Sequence, residues 1–244
     1  MSETKDKIVL HWLQHSRATR ILWLLEELKL PYEIKVYKRD SQYRAPQELK
    51  KIHPLGRSPL VEIIPEGTSK PVVLAETGYI IQYLLDHYNP SGELVPSSPE
   101  NRELVKYYLN YTEGTLQSLL VSLLVNSKAK SSAPFGFGFL MNKLVGGINQ
   151  AYYLPELLSN LSFLDAQLAK QSGGYFAGDR LSAADIILSF PLYENTFANP
   201  ERASQTLGQS INLVEKFPHI HKWSEKIKDE PGYIKAGKIL ESKL

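Results

Sequence analysis

Residues 7–37 read KIVLHWLQHSRATRILWLLEELKLPYEIKVY and decide the fold of the N-terminal part of the chain. The apolar run at 7–12 predicts a buried strand, and the helical spacing of apolar residues over 17–29 predicts a helix that ends before Pro31. Residues 32–37 alternate in polarity and predict a second strand. Because a helix connects the two strands, they are expected to lie parallel in a β-α-β unit.

The residues that follow extend this unit into a domain. APQELKKI (45–52) predicts a short helix, PLVEII (59–64) and PVVLAE (71–76) predict two strands, and ETGYIIQYLLDHY (76–88) predicts an amphipathic helix. The resulting order, β-α-β-α-β-β-α, is that of a thioredoxin-like α/β domain over residues 1–88.

Beyond this domain the sequence pattern changes to helices only. Residues 89–101, rich in Pro, Ser and Gly, predict a linker. An all-α helical bundle is predicted over residues 102–244. Its periodic apolar residues fall mainly in 102–125, 148–170, 182–195 and 212–228.

Composition narrows the classes of function. The 28 basic and 26 acidic residues are spread along the chain, which argues against nucleic acid as a partner. Because the chain has no cysteine, it has no disulfide, thiolate metal site or protein-thiol nucleophile, and sulfur chemistry requires a borrowed thiol. The apolar stretches are too short for a transmembrane span and the polar N-terminus is not signal-like, so we expect a soluble, non-secreted protein.

Four segments carry a resemblance that covers nearly the whole chain: HSRATRILWLLEELKLPYEI, IHPLGRSPL, LAETGYIIQYL and GDRLSAADI. In order and spacing they resemble the glutathione transferase family. The resemblance is strongest to theta-like members from fungi, including the yeast type, and from bacteria, whose first helix starts with Ser-Arg. The resemblance implies glutathione as co-substrate, a hydrophobic electrophile as the second substrate, and a homodimer. Because one fold serves many functions, the residues of the site have to carry the functional argument.

The segment before Pro59 is the first candidate site. The matching family proline is cis, which implies that the backbone of Ser58 pairs antiparallel with the cysteinyl part of glutathione, as an added strand does. An ordinary trans proline at the start of an edge strand is the alternative. Arg57 and Arg44 are candidates to bind the glycyl carboxylate of glutathione. The alternative is that both are ordinary solvated charges at the surface, without a ligand.

Glu76 and Thr77 stand where a predicted strand ends and a helix begins. The hydroxyl and backbone N–H of Thr77 suit a carboxylate at a helix N-terminus, and Glu76 suits an ammonium. The resemblance implies that this pair binds the α-amino acid end of the γ-glutamyl group. A helix N-cap without a ligand is the alternative.

The thiol activator is sought in the first βα turn. A free thiol with a pKa of about 8.5 is mostly protonated at neutral pH, and only the thiolate attacks. The resemblance implies that Ser16, four residues before Arg20, donates a hydrogen bond to the sulfur. No tyrosine precedes Tyr32, so a tyrosine from this strand is excluded. Ser16 also suits a helix cap, and His15 or a backbone N–H is an alternative donor.

Two further segments have structural or substrate roles. Ser182 and Asp185 have the spacing of a capping box and predict a folding element of the helical domain. Tyr107 and Tyr111 are candidates for the electrophile pocket, and residues 133–144 (APFGFGFLMNKL) are interpreted as a mobile aromatic loop that can act as a lid. Packing of these aromatic side chains in the bundle core is the alternative.

The predicted function is transfer of alkyl or aryl groups to glutathione, with peroxide reduction as a second activity of the same thiolate. A glutathione-dependent reductase is disfavoured because the chain has no cysteine. A non-catalytic protein that binds glutathione or another ligand remains the alternative. Ser242-Lys243-Leu244 matches a peroxisomal import signal, which predicts the peroxisome, with the cytosol or an endomembrane surface as alternatives.

Overall fold

The computed structural model of the chain describes residues 5–201, 203 and 211–243. Its N-terminal part confirms the predicted element order. The elements are β1 (Lys7–Leu13), α1 (Ala18–Glu27), β2 (Glu33–Tyr37), α2 (Leu49–Ile52), β3 (Leu60–Ile64), β4 (Val72–Ala75) and α3 (Thr77–Tyr88).

These strands form one mixed sheet in the order β2-β1-β3-β4, with β1 and β2 parallel and the other two pairs antiparallel. The parallel pair is joined through α1, and the shorter connection between β3 and β4 allows an antiparallel hairpin. Leu60 pairs with His11 on one side and with Ala75 on the other. The chain therefore leaves β1, enters β3 and leaves β4 at the same end of the sheet.

The C-terminal part is helical, as predicted. Its helices are α4 (Pro99–Tyr111), α5 (Gln117–Ser131), α6 (Gly138–Ile148), α7 (Leu154–Ala169), α8 (Ala183–Leu188), α9 (Leu213–Lys216), α10 (Pro218–Ile227) and α11 (Pro231–Glu241). Turns of π-helix join α4 to α5 (Thr112–Leu116) and α6 to α7 (Asn149–Tyr153), and a third follows α8 (Ser189–Phe197). Within the described ranges, no helix has both the length and the apolar character that crossing a membrane requires.

The start of α4 lies inside the predicted linker. The side chain of Ser98 accepts a hydrogen bond from the backbone N–H of Asn101, and Pro99 occupies the first helical turn. Proline is well suited to this position because a first-turn N–H has no partner within the helix. Two residues that favour loops elsewhere therefore start a helix here.

The aromatic segment 133–144 is only partly a loop, so its interpretation as a loop throughout was wrong. A turn with Gly136 at φ +85° connects α5 to α6, and the chain is helical from Gly138 onward. Because Leu and Met favour helices, the second half of the segment forms α6. The side chains of Phe135, Phe137 and Phe139 are exposed rather than packed in the core.

Helix α11 was not among the predicted helical segments, and it packs against α1 of the other domain. The ring of Tyr233 meets that of Trp23 edge to face at 5.1 Å, and Lys235 pairs with Glu26 at 2.6 Å. Ser242 and Lys243 follow this helix, whereas Leu244 lies outside the described residues. Contact with α1, rather than a strong periodic pattern, accounts for the position of α11.

The predicted capping box at the start of α8 is confirmed. Asp185 is fully buried, and its Oδ2 accepts from the backbone N–H and hydroxyl of Ser182 at 3.0 and 2.8 Å. Its Oδ1 accepts from the N–H of Phe176 and from Nε1 of Trp223, both at 2.9 Å. Burial raises the pKa of Asp185, and these hydrogen bonds oppose the shift. The carboxylate thus joins a loop and α10 to the helix that it caps.

We expect Asp185→Ala to lower the free energy of unfolding by at least about 3 kcal/mol, because several buried donors lose their acceptor. Denaturant unfolding measures this change. Asp165→Ala is the matched control, because Asp165 accepts from the N–H groups of His219 and Ile220 at the start of α10 and, among the described residues, otherwise contacts only the half-exposed ring of His219. That simpler cap is worth about 1 kcal/mol. Equal losses in the two variants would contradict the wider role of Asp185.

Candidate active site

Ser16 lies in the turn between β1 and α1 and is 6% exposed. Its Oγ accepts a hydrogen bond from the N–H of Ala18 at 3.2 Å and lies 3.3 Å from Oγ of Ser58. Because the hydroxyl of Ser58 donates to the carbonyl of His11 at 3.1 Å, the hydrogen between the two serines comes from Ser16. Ser16 therefore caps α1 with a lone pair while its hydrogen remains able to turn toward another acceptor.

The peptide bond between Ser58 and Pro59 is cis, as predicted, so the trans alternative does not apply. In the described part of the chain, no group forms a hydrogen bond with the backbone N–H or C=O of Ser58. Ser58 precedes β3, which is an inner strand, so these free groups lie at the end of the sheet rather than along an edge strand. They can pair with a short extended peptide.

Glu76 occupies the N-cap position of α3 with φ +68°, but its side chain makes no capping hydrogen bond. Thr77 is the first residue of the helix and is buried. The first N–H groups of a helix lack intrahelical partners and favour an anion. Glu76 thus occupies the N-cap position that the alternative predicts, but its side chain does not cap the helix, so the acid and the hydroxyl lie beside an open helix end.

Helix α3 starts in close contact with the helical domain. A Cβ atom added at Gly78 would lie 3.1 Å from the carbonyl oxygen of Leu109 in α4. Because this is tighter than most such contacts, a larger residue at this position would push the two helices apart. The position of Thr77 is thus set by both domains.

Arg39 joins the Ser16 turn to the loop between β2 and α2, a role that the sequence reasoning missed. Its guanidinium donates to the carbonyls of Gln14, Tyr43 and His15 at 2.9, 3.0 and 3.2 Å. The ring of His15, a residue with φ +52°, stacks on that of Tyr43 with centroids 6.0 Å apart. No spacing rule relates an arginine to three carbonyls, so only the fold reveals this contact.

Arg44 and Arg57 are exposed, as expected for residues that meet a ligand at the surface. The backbone of Arg44 is held by Asp40, whose Oδ1 accepts its N–H at 2.8 Å. For both guanidinium groups, no carboxylate of the described residues lies within 4.0 Å. Both cations are therefore available to an anion.

Glu113 was also missed by the sequence reasoning. It lies in the π-helical turn after α4, and its two carboxylate oxygens accept from Arg17 at 2.5 Å and from Arg20 at 2.6 Å. Arg20 is fully buried and also donates to the carbonyl of Ile187 at 2.6 Å. Because Arg17 directly follows Ser16, this carboxylate of the helical domain helps to hold the Ser16 turn.

Tyr107 and Tyr111 belong to α4, and their rings face α7. Their rings stack 5.5 Å apart, both approach Phe163, and the hydroxyl of Tyr111 donates to Oδ1 of Asn160 at 2.5 Å. Burial raises the pKa of Tyr111. These contacts agree with the alternative that the aromatic side chains pack between helices of the bundle. They do not join the two rings to the Ser16 turn. Their assignment to an electrophile pocket stays a prediction.

The geometry defines a class of protein. At one end of a thioredoxin-like sheet, an unpaired backbone segment lies next to a buried hydroxyl and an open helix N-terminus, which suits a small peptide thiol. A protein without cysteine can use such a thiol as its nucleophile. No group of His, Asp and Glu side chains in residues 5–201, 203 and 211–243 is arranged to hold a metal ion.

Comparison with family models agrees with this class. Residues 6–86 match the glutathione S-transferase N-terminal domain, and residues 139–231 match the glutathione S-transferase C-terminal domain. The chain therefore belongs to the glutathione S-transferase family.

Individual relatives extend the similarity over most of the chain. Glutathione S-transferase 1 of Saccharomyces cerevisiae is 43% identical, over 93% of this chain and 92% of the relative. Glutathione S-transferase 3 of Schizosaccharomyces pombe is 35% identical, over 97% of this chain and 90% of the relative. A glutathione transferase family member from Pseudomonas fluorescens, crystallised with two glutathione bound, shares the fold with a TM-score of 0.71 at 22% identity, over 96% of this chain and 92% of that chain.

We expect Glu113→Gln to lower the free energy of unfolding by about 3–5 kcal/mol, because buried Arg20 loses its carboxylate partner. Denaturant unfolding at neutral pH measures the change. Glu103→Gln is the control, because Glu103 pairs with Lys106 on the exposed surface of α4 and such pairs contribute at most about 1 kcal/mol. Similar stability of the two variants would show that Arg20 does not depend on Glu113.

Proposed function

We propose that this chain conjugates glutathione to hydrophobic electrophiles and that the Ser16 hydroxyl stabilises the thiolate. The supporting observation is the buried Ser16 hydroxyl beside the unpaired backbone of Ser58. An extended peptide that pairs with Ser58 brings its side chain near this hydroxyl. The family member from Pseudomonas fluorescens was crystallised with two glutathione bound, which supports glutathione as that peptide.

In this proposal the three parts of glutathione meet three groups of residues. The cysteinyl backbone pairs with Ser58 next to Pro59. The α-carboxylate of the γ-glutamyl residue lies at the N-terminus of α3 with Thr77, and the ammonium of the same residue lies at Glu76. The glycyl carboxylate lies at the exposed cations Arg57 and Arg44. Glu76 and the two arginines are opposite in charge to the parts of the ligand that they meet, whereas Ser58 and the start of α3 offer backbone hydrogen bonds.

Ser16 acts as a hydrogen-bond donor and not as a nucleophile. When its hydrogen turns from Ser58 to the sulfur, the thiolate is stabilised while Ala18 keeps its cap. Hydrogen bonds to charged groups contribute about 1.5–3 kcal/mol, which corresponds to a thiol pKa lowered by about one to two units. His15 is the alternative donor, although its ring is already stacked on Tyr43.

Two further parts of the proposal follow from the same site. Peroxide reduction is a second activity of the thiolate, with glutathione as the reductant. The functional unit is a homodimer, as the family resemblance implies. A role in binding alone, without turnover, is the outcome that the first experiment below distinguishes.

In Ser16→Ala we expect the thiol pKa of bound glutathione to rise by about one to two units, because the donor to the sulfur is lost. The ultraviolet absorbance of the thiolate as a function of pH measures this pKa. Ser98→Ala is the control, because Ser98 also caps a helix but lies at the start of α4. An unshifted pKa in the native complex would support binding alone. A low pKa retained in Ser16→Ala would transfer the role to His15 or a backbone N–H.

In Glu76→Gln we expect loss of retention on immobilised glutathione, because the γ-glutamyl ammonium loses its anionic partner. The variant keeps the size of the side chain, and circular dichroism verifies that it is folded. Glu100→Gln is the control, because Glu100 also lies in the first turn of a helix, α4. Normal retention of Glu76→Gln would exclude the proposed ammonium contact.

A further inference from the structure

Lys128 of helix α5 in the helical domain approaches the loop between β2 and α2. Nζ of Lys128 lies 5.3 Å from the centroid of the Tyr43 ring, and the Tyr43 ring also stacks on the ring of His15, which precedes Ser16. This contact links the loop between β2 and α2 to the helical domain. It places an ammonium group of the helical domain beside a ring that contacts the residue before Ser16.

The face of α5 that carries Lys128 is apolar. Val121, Leu124 and Val125 precede it by seven, four and three residues, so all four side chains share one side of the helix. The three apolar side chains are 38%, 58% and 59% exposed. An apolar strip of this kind suits an aromatic or aliphatic acceptor, since burial of its surface is favourable.

Lys128 is not neutralised by its neighbours. The sequence has no Asp or Glu from Gly114 to Pro155, and among the described residues no carboxylate lies within 4.0 Å of its ammonium. Arg39, the second cation near Tyr43, is engaged by three backbone carbonyls. The proposed contacts of glutathione use cations of the thioredoxin-like domain, which leaves Lys128 for the other substrate.

We propose that Lys128 selects electrophiles that carry an anionic group and whose apolar body lies along Val121, Leu124 and Val125. The inference rests on the proposed conjugation and specifies its acceptor class: an aromatic or aliphatic electrophile with a carboxylate or sulfonate remote from the reacting carbon. The apolar body lies along α5, and the anion pairs with the ammonium of Lys128.

For an aryl chloride the step is balanced without any protein nucleophile. The glutathione thiolate forms the new bond to the aromatic carbon, and chloride leaves with the electron pair of the broken C–Cl bond. The thiol proton has already been released to solvent. Lys128 takes no part in bond making, so its effect is on which acceptor is bound and not on the reacting atoms.

The test compares two acceptors, the neutral 1-chloro-2,4-dinitrobenzene and the anionic 4-chloro-3,5-dinitrobenzoate, at a fixed saturating concentration of glutathione. The quantity measured is the ratio of kcat/KM for the anionic acceptor to that for the neutral one. In Lys128→Met we expect this ratio to fall about tenfold, and in Lys128→Arg we expect it to be retained. Because the ratio is compared between variants, the different intrinsic reactivities of the acceptors cancel.

Lys130→Met is the matched control. Lys130 is two residues away in the same helix but points toward α6, where its Nζ lies 3.9 Å from the position of a Cβ atom at Gly146. We expect this variant to keep the native ratio. A ratio that falls equally in the two methionine variants would overturn the assignment, because the effect would then be one of overall charge.

The other outcomes separate this inference from the proposed function. An unchanged ratio in Lys128→Met together with a raised KM for glutathione, measured separately by varying glutathione with the neutral acceptor, would overturn the inference and place Lys128 on the glycyl carboxylate. An unchanged ratio with native glutathione kinetics would also overturn it. If the native protein turned over neither acceptor while its glutathione thiol kept an ordinary pKa, the proposed conjugation itself would fail, and the inference with it.

Discussion

The buried guanidinium of Arg20 is the constraint on which the relation between the two domains depends. A charge that is fully removed from water needs a partner, and breaking such a pair costs several kcal/mol. Glu113 supplies the partner from the helical domain, and the carbonyl of Ile187 accepts a second hydrogen bond. Burial raises the pKa of the nearby Glu194 to about 7, with Arg20 opposing the shift. Because Glu113 also binds Arg17, the constraint reaches the residue next to Ser16.

The hydroxyl groups of the candidate thiol site also have structural roles. Ser16 caps α1 with one lone pair, and the hydroxyl of Ser58 is anchored to the carbonyl of His11. His11 is itself buried between Tyr37 and Glu62, and this burial lowers its pKa, which favours the neutral imidazole. A small number of hydrogen bonds therefore orients the donor before any ligand binds. Preorganisation of this kind means that little rearrangement is needed when a thiolate forms.

The proposed contacts divide recognition between the domains. The groups assigned to glutathione all belong to the thioredoxin-like domain, whereas the face assigned to the electrophile belongs to α5. The two meet at Tyr43, which is approached by His15 and Arg39 from one domain and by Lys128 from the other. Changes on α5 can thus alter the acceptor while the peptide thiol is held as before.

The amino-acid sequence by itself determined the order of strands and helices, the candidate positions Ser58, Pro59, Glu76 and Thr77, and the capping box of Ser182 with Asp185. These features depend on local periodicity, on motif spacing and, for the roles of the ligand residues, on resemblance. Only the tertiary structure decided that Glu113 meets Arg20, 93 residues earlier, and that Lys128 meets Tyr43. The sequence made Tyr107 and Tyr111 candidates for the electrophile pocket, but it did not show that their rings meet Phe163 of α7. The physical reason is that a helix or strand pattern states which side chains lie together on one element, whereas the partner of that face depends on the packing of elements distant in the chain.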